Sequence, residues 1–302
     1  MINLIAQGLR FPEGPIALPD GSVLLVEIAA GCLTRITPDG RREVVVELGG
    51  GPNGAAMGPD GRCYICNNGG FAWRDRDGIL VPRGSAPDYK GGAIQAVNLS
   101  TLAVQSLYTK CGEQPLISPN DIVFDAHGGF WFTDFGHTHR RTRDRGAIYY
   151  ALADGSNIRE SVFPLDGPNG IALSPDGCTL FAAETFTGRI WAWDIISPGQ
   201  LAPVNKNILA GTGRIITTLP GLQLCDSMAV DSNGNLHVAT IPNGISVISQ
   251  TGELLALEPM PEPYATNVCF GGPGLRTAFV TLSSTGRLVS YESQWTGAAL
   301  PY

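Results

Sequence analysis

One phrase recurs six times along the chain: a polar residue, an apolar strand, a tight turn usually written Asp-Gly or Asn-Gly, and a second apolar strand. The copies open at Glu13 (EGPIALPDGSVLLVE), Asn53 (NGAAMGPDGRCYICN), Asn120 (NDIVFDAHGGFWFTD), Asn169 (NGIALSPDGCTLFAAE), Asp226 (DSMAVDSNGNLHVAT) and Asn267 (NVCFGGPGLRTAFVT). In five of the six a glycine stands eight residues after the opener. Asp-Gly between apolar runs is a hairpin signal, because glycine adopts the positive φ that such turns need.

Each copy begins a longer unit. In the first, residues 14–18, 22–28, 32–37 and 42–48 alternate as strands, with turns at Pro19-Asp20-Gly21 and Pro38-Asp39-Gly40. The third strand recurs as AIQAVNL (93–99), AIYYAL (147–152), RIWAWDI (189–195), GISVIS (244–249) and RLVSYE (287–292), and the fourth as VQSLYTK, IRESVFPL, RIITTLP and LLALEPM. The sixth unit runs short of chain, whereas residues 2–9 (INLIAQGL) form a strand with no place in the first. The reading is an all-β, six-bladed β-propeller with four antiparallel strands per blade, a single domain over 1–302. The N-terminal strand joins the last blade and closes the ring. No stretch of 12 or more residues carries a helical period.

Thirty-nine glycines and 22 prolines without a collagen-like period suit a turn-rich β protein. The net charge of −7 argues against a nucleic-acid partner and is compatible with cation binding. MINLIAQGLRFPEG has no basic segment or long apolar run of a secretory signal, and no apolar run is long enough to cross a membrane, so a cytoplasmic location is expected. The seven cysteines are odd in number and scattered, which predicts reduced, mostly buried thiols; Cys63 and Cys66 in one strand face opposite ways and chelate poorly. The chain is expected to be a monomer or weak homo-oligomer. Two insertions, 69–92 and 197–213, interrupt the spacing; the first, with Phe71, Trp73, Tyr89 and several arginines, is either a lid over a substrate or a surface loop.

In a propeller the innermost strands line a central channel, so the six openers converge near one mouth. Their carboxylate and amide oxygens suit a hard or borderline cation such as Ca²⁺, Mg²⁺ or Mn²⁺. Asn and Asp also form turns at strand starts, but Glu13 is a poor turn residue.

PEGP (12–15), SPND (118–121) with GGFWFTDFG (128–136), GPNG (167–170) with SPDG and AAET (174–185), and CDSMAVDSNGNLHVAT (225–240) together resemble the SMP-30/gluconolactonase/luciferin-regenerating-enzyme family, in its order and over nearly the whole chain. The resemblance implies a six-bladed propeller with one divalent metal ion at the channel mouth, calcium first, with Mg²⁺, Mn²⁺, Fe²⁺ or Zn²⁺ as alternatives. It implies Glu13, Asn169 and Asp226 as metal ligands and Asn120 as the amide that contacts water or substrate. Asn53 and Asn267 complete the substrate-facing ring. The implied activity is lactone hydrolysis on a small-molecule substrate. Where some gluconolactonase-like members carry an arginine for sugar hydroxyls, this chain has Ser118.

Hydrolysis needs a proton acceptor. Asp226 leads, with Asp121 and Asp134 as alternatives; Asp121, next to an inward Asn, is expected to point away from the channel and serve a turn. His137, His139 and the run Arg140, Arg141, Arg143, Arg145 read as one solvated loop or an anion-binding patch. His127 and His237 read as structural. With no G-x-S-x-G, H-E-x-x-H or phosphate loop, the remaining alternatives are a metal-dependent esterase or organophosphate hydrolase and a non-catalytic propeller that binds a metal or metabolite.

Overall fold

The computed structural model describes residues 1–203 and 213–302. Six antiparallel sheets stand in a ring, and each begins with one of the repeated openers. Blade 1 runs Pro12–Ala17, Val23–Glu27, Cys32–Ile36, Arg42–Glu47; blade 2 runs Pro52–Met57, Cys63–Asn67, Ala93–Val97, Val104–Tyr108. Blade 3 runs Pro119–Phe124, Gly129–Asp134, Gly146–Leu152, Ile158–Leu165. Blade 4 runs Pro168–Leu173, Thr179–Glu184, Arg189–Ser197, Arg214–Thr218, and blade 5 Leu224–Val230, Leu236–Ile241, Gly244–Ile248, Leu254–Glu258. Blade 6 takes Ala265–Gly271, Thr277–Leu282 and Arg287–Glu292 from the end of the chain and Ile2–Gln7 from its start, as its outermost strand. The architecture is the six-bladed propeller expected from the repeat, with the ring closed by the expected strand.

Period-two alternation makes the ring cohere. Successive side chains of a strand face opposite ways, and in a radial blade both directions lead into a neighbouring blade. On Gly129–Asp134, Phe130 and Phe132 pack with Tyr64 of blade 2, while Trp131 packs with Trp191 and Trp193 of blade 4. Among the described residues the core consists of six apolar clusters, one at each junction between blades.

The first insertion is not an irregular loop. Phe71–Arg76 and Ile79–Ser85 pair as a two-stranded hairpin apart from the blades. It rises from the end of blade 2 at which the openers lie, because Pro52 pairs with Asn67 immediately before it. Of the second insertion, Gln200–Leu201 folds back on Arg189–Ser197; residues 204–212 lie outside the described residues. Each of the seven cysteines is free. Cys32, Cys63, Cys66 and Cys225 are buried, whereas Cys178, on the Asp-Gly turn of blade 4, is exposed, contrary to the expectation of mostly buried thiols for that residue. Among the described residues no helix is long and apolar enough to cross a membrane.

Candidate active site

The innermost strands do not run in unbroken register. In blades 2 to 5 the pairing skips from the residue before the opener to the residue three further on: Pro52 to Ala55, Pro119 to Ile122, Pro168 to Ile171, Cys225 to Met228. Such bulges free the opener and its successor from the ladder and re-aim their side chains. The successors are small where blades press together. A Cβ on Gly54 would lie 2.5 Å from the Asn120 carbonyl oxygen, and one on Gly170 2.6 Å from that of Asp226. Inner strands of adjacent blades thus touch backbone to backbone, and this draws the openers into one mouth.

Asn53, Asn120, Asn169, Asn267 and Glu13 are buried there, and Asp226 is half-buried. Glu13 is held across the seam of the ring: Oε2 accepts from Asn267 Nδ2 at 3.0 Å and from the Gly14 N–H at 3.3 Å, and Oε1 accepts from the Ser283 hydroxyl at 3.3 Å. Asn169 donates to the Thr185 hydroxyl at 3.2 Å, and its Oδ1 has no partner. Asn120 Oδ1 is likewise buried without a partner. Two amide oxygens are therefore left without a protein partner beside two carboxylates, an arrangement that native structures complete with water or an ion.

The carboxylates are electrostatically strained. Burial pushes the Glu13 carboxyl above its ordinary value, although hydrogen bonds from Thr266, Asn267, Gly14 and Ser283 oppose the rise. Asp226 is raised well above its ordinary value by burial, then by the charges of Glu13 and Asp121, against hydrogen bonds from Asn169 and the Ser227 backbone. No three His, Cys, Asp or Glu side chains converge into a metal cluster among the described residues. The oxygen donors on offer are instead two carboxylates supplemented by amides. A divalent cation fits this set, since it would relieve the repulsion and give the orphaned oxygens a partner.

Asp121 corrects the sequence reading. It does not point away: the bulge that frees Asn120 also frees its neighbour, so alternation fails there. The Asp121 carboxylate crosses to the next blades, accepting from the Ile171 N–H at 3.3 Å and from Ser227, as well as from the Ile122 N–H at 2.9 Å. Burial, reinforced by the charge of Glu13, pushes it up to about 7. Asp134 has a different task. It accepts three backbone N–H groups, from Ile117 and Ser118 at 2.7 Å and Gly136 at 3.2 Å, and so clamps the segment that leads into Asn120. Glu27, Asn67 and Glu184 hold Arg10, Gly51 and Asp166 N–H groups from the same position of their blades, which makes this a device of the repeat. Ser118 is buried, with no arginine in its place.

The loop after blade 3's hairpin divides in two. Arg140, Arg141 and Arg145 are exposed, and Arg143 pairs with Asp166 and stacks over Phe186 at 3.8 Å. His137, expected on the solvated face, is buried instead: its Nδ1 hydrogen-bonds the Ser85 hydroxyl of the hairpin, and its ring lies 4.7 Å from that of Tyr89. His237 is structural as expected, buried against Asp231. The hairpin itself bridges the rim. Trp73 meets Phe11 of blade 1 at 4.9 Å, and Ile79–Ser85 packs on the turn Ser283–Thr285 of blade 6, beside Glu13.

Comparison with known proteins agrees with the fold. The profile of the SMP-30/Gluconolactonase/LRE-like region matches residues 11–284. A gluconolactonase of Zymomonas mobilis is 27% identical over 93% of this chain and 79% of its own length. Lactonase drp35 of Staphylococcus saprophyticus is 28% identical over 86% of this chain and 72% of its own. Among solved structures, a calcium-binding regucalcin from Agrobacterium tumefaciens superposes with a TM-score of 0.76 at 16% identity, over 99% of this chain and 95% of that one. A gluconolactonase from Xanthomonas campestris gives 0.75 at 21% identity, over 98% and 89%. With the family profile spanning most of its length on a six-bladed frame, the chain belongs to the SMP-30/gluconolactonase/LRE-like family.

Proposed function

We propose that the chain hydrolyses a small lactone at the channel mouth, with a divalent cation held by Glu13, Asn169 and Asp226. The observation that carries this reading is the pairing of unpartnered Asn120 and Asn169 oxygens with two carboxylates whose charge nothing among the described residues neutralises. The names of the gluconolactonase and lactonase relatives support the lactone as substrate. Bound there, the cation supplies Lewis acidity to the ester carbonyl and to an attacking water.

The residues of the chain do the rest. Asp226, half-buried among the openers, takes the proton from the water and returns it to the leaving alkoxide. Asn120 orients the reacting oxygens through its free Oδ1 and its amide. Asn267 fixes the Glu13 carboxylate rather than touching substrate itself, and Asn53 lines the same wall. Asp121, bonded to two neighbouring blades, contributes charge beneath the site. Asp134, whose two oxygens already accept three backbone N–H groups, is assigned the clamp on the segment before Asn120 and not the base.

The test is a panel of glucono-δ-lactone, δ-valerolactone and dihydrocoumarin, assayed with protein treated with EDTA and then reloaded with Ca²⁺, Mg²⁺, Mn²⁺, Fe²⁺ or Zn²⁺ in turn. Hydrolysis lost to the chelator and restored by one ion is expected. Cation-loaded protein inert toward every lactone sinks the proposal, and turnover of aryl esters or organophosphates alone would move it to another ester class.

A further inference from the structure

Four of the unpartnered buried polar atoms among the described residues belong to the openers or to the segments beside the hairpin. On the propeller side they are acceptors, Asn120 Oδ1 and Asn169 Oδ1; beneath the root of the hairpin they are Asn68 Nδ2 and His137 Nε2. Asn68 is fully buried, and its amide cannot be turned round, because Oδ1 accepts the Gly70 N–H at 2.8 Å; Nδ2 is thus a donor without an acceptor. His137 is 6% exposed. Three contacts hold the residue. The backbone N–H donates to Asp144 at 3.1 Å, Nδ1 engages Ser85, and one ring face meets Tyr89. Tyr89 is itself pinned: its hydroxyl donates to the Ile117 carbonyl at 2.7 Å, and a Cβ on Gly69 would come within 2.6 Å of its ring. The remaining edge carries Nε2, directed away from Ser85.

We propose that His137 is a substrate-positioning residue, its Nε2–H donating to an oxygen of the substrate held under the hairpin, with Asn68 Nδ2, at the root of the hairpin, as a second donor. The inference rests on the lactone reading above and adds to it a recognition element outside the ring of openers. A lactone's ring ester carries acceptors only, so the contact requires the proton on Nε2. Nδ1 then accepts from the Ser85 hydroxyl, a role open to it in neutral imidazole. Burial lowers the affinity of this imidazole for a second proton, which keeps it neutral. An unmatched donor in a buried site discriminates well, since it is satisfied only when an acceptor oxygen arrives.

Two substitutions separate this role from that of a strut for the hairpin. Gln places its terminal amide near the Nε2 position and gives up the bond to Ser85; Asn places its amide near Nδ1, keeps that bond and loses the distal donor. With cation-loaded protein and the lactones above, H137N is expected to raise KM about tenfold with kcat little changed, and H137Q to stay within about twofold of the wild type. Ser85→Ala, which leaves the ring intact and removes what fixes its tautomer, is expected to raise KM by a smaller factor. It also serves if either His137 variant fails to fold, as judged by thermal denaturation. The opposite order, with Asn neutral and Gln impaired, means that His137 only braces the hairpin and overturns the proposal, as do equal effects in the two variants or an unchanged KM in Ser85→Ala. A wild type inert on every lactone defeats the parent reading instead, and this inference with it.

Discussion

Asn267 donates its side-chain amide to Glu13 at 3.0 Å, joining residues 254 positions apart in sequence. The bond lies at the seam where the last blade meets the first, and Ser283 reinforces it from the same blade. The carboxylate read as a metal ligand is therefore oriented by the closing blade as well as by the Gly14 N–H of its own.

Glu13→Gln and Asp226→Asn each remove a charge from the oxygen set while keeping its shape. Each is expected to lower kcat/KM on the preferred lactone by roughly 100-fold or more. Calorimetric titration with Ca²⁺ should register weakened binding, with circular dichroism unchanged. A variant with full turnover and undiminished cation affinity would place the site elsewhere.

Raised carboxylates give the cation-free protein a defined pH dependence. Asp121 titrates near 7 in the folded chain against an ordinary value of 3.8, so the native state binds the proton more tightly than the unfolded one. That stability is fully present below the unfolded value and is lost as pH rises through the folded one. In EDTA, Tm should fall between pH 5 and pH 8, and Asp121→Asn should flatten the slope. Calcium should raise Tm more at pH 8 than at pH 5, because it binds the deprotonated site. A Tm in EDTA that climbs from pH 5 to pH 8 contradicts the argument.

Asp134→Ala strips three backbone N–H groups of their acceptor. It is expected to cost about 2–5 kcal/mol in urea unfolding, with kcat of the protein that remains folded within a few-fold of the wild type. Loss of turnover in a variant of undiminished stability would return Asp134 to the list of bases.

Gly170→Ala tests the contact between inner strands. The new methyl would lie 2.6 Å from the Asp226 carbonyl oxygen and 2.8 Å from the Met228 nitrogen. Backbone cannot step aside as a flexible side chain does, so a loss of about 1–3 kcal/mol is expected, together with weaker cation binding because Asp226 moves. Wild-type stability and affinity would mean that the blades are less tightly apposed than described.

The ring was legible because its cause is periodic: turn glycines, alternating strands and openers recur with the blades, and the spare strand at residues 2–9 had one place to go. The convergence of Glu13, Asn169 and Asp226 followed from that symmetry together with the family resemblance. Asp121 was misread because a register skip of one bulge reverses the facing that alternation assigns. A signal existed: the residue after the opener is Gly in blades 1, 2 and 4 but Asp in blade 3. The burial of His137 was missed for another reason. It comes from Ser85 and Tyr89, on an insertion about which the repeat says nothing. Asp134 stood as an alternative base because the strand pattern does not show the three backbone N–H groups that it accepts.

The pairing of Ile2–Gln7 with Arg287–Glu292 also governs when the molecule can come into being. A chain leaving the ribosome carries the strand Ile2–Gln7 without its neighbour until Arg287–Glu292 has been made, after all of blades 1 to 5. Blades 1 to 5 can assemble in turn, but the first must wait, with an apolar ribbon ahead of it whose backbone groups invite any unpaired edge nearby. In a crowded refolding mixture the ribbon of one molecule can complete the sixth blade of another. The ring's weakness is thus one of timing, and exchange of the leading strand between molecules is the error to which this topology is most open.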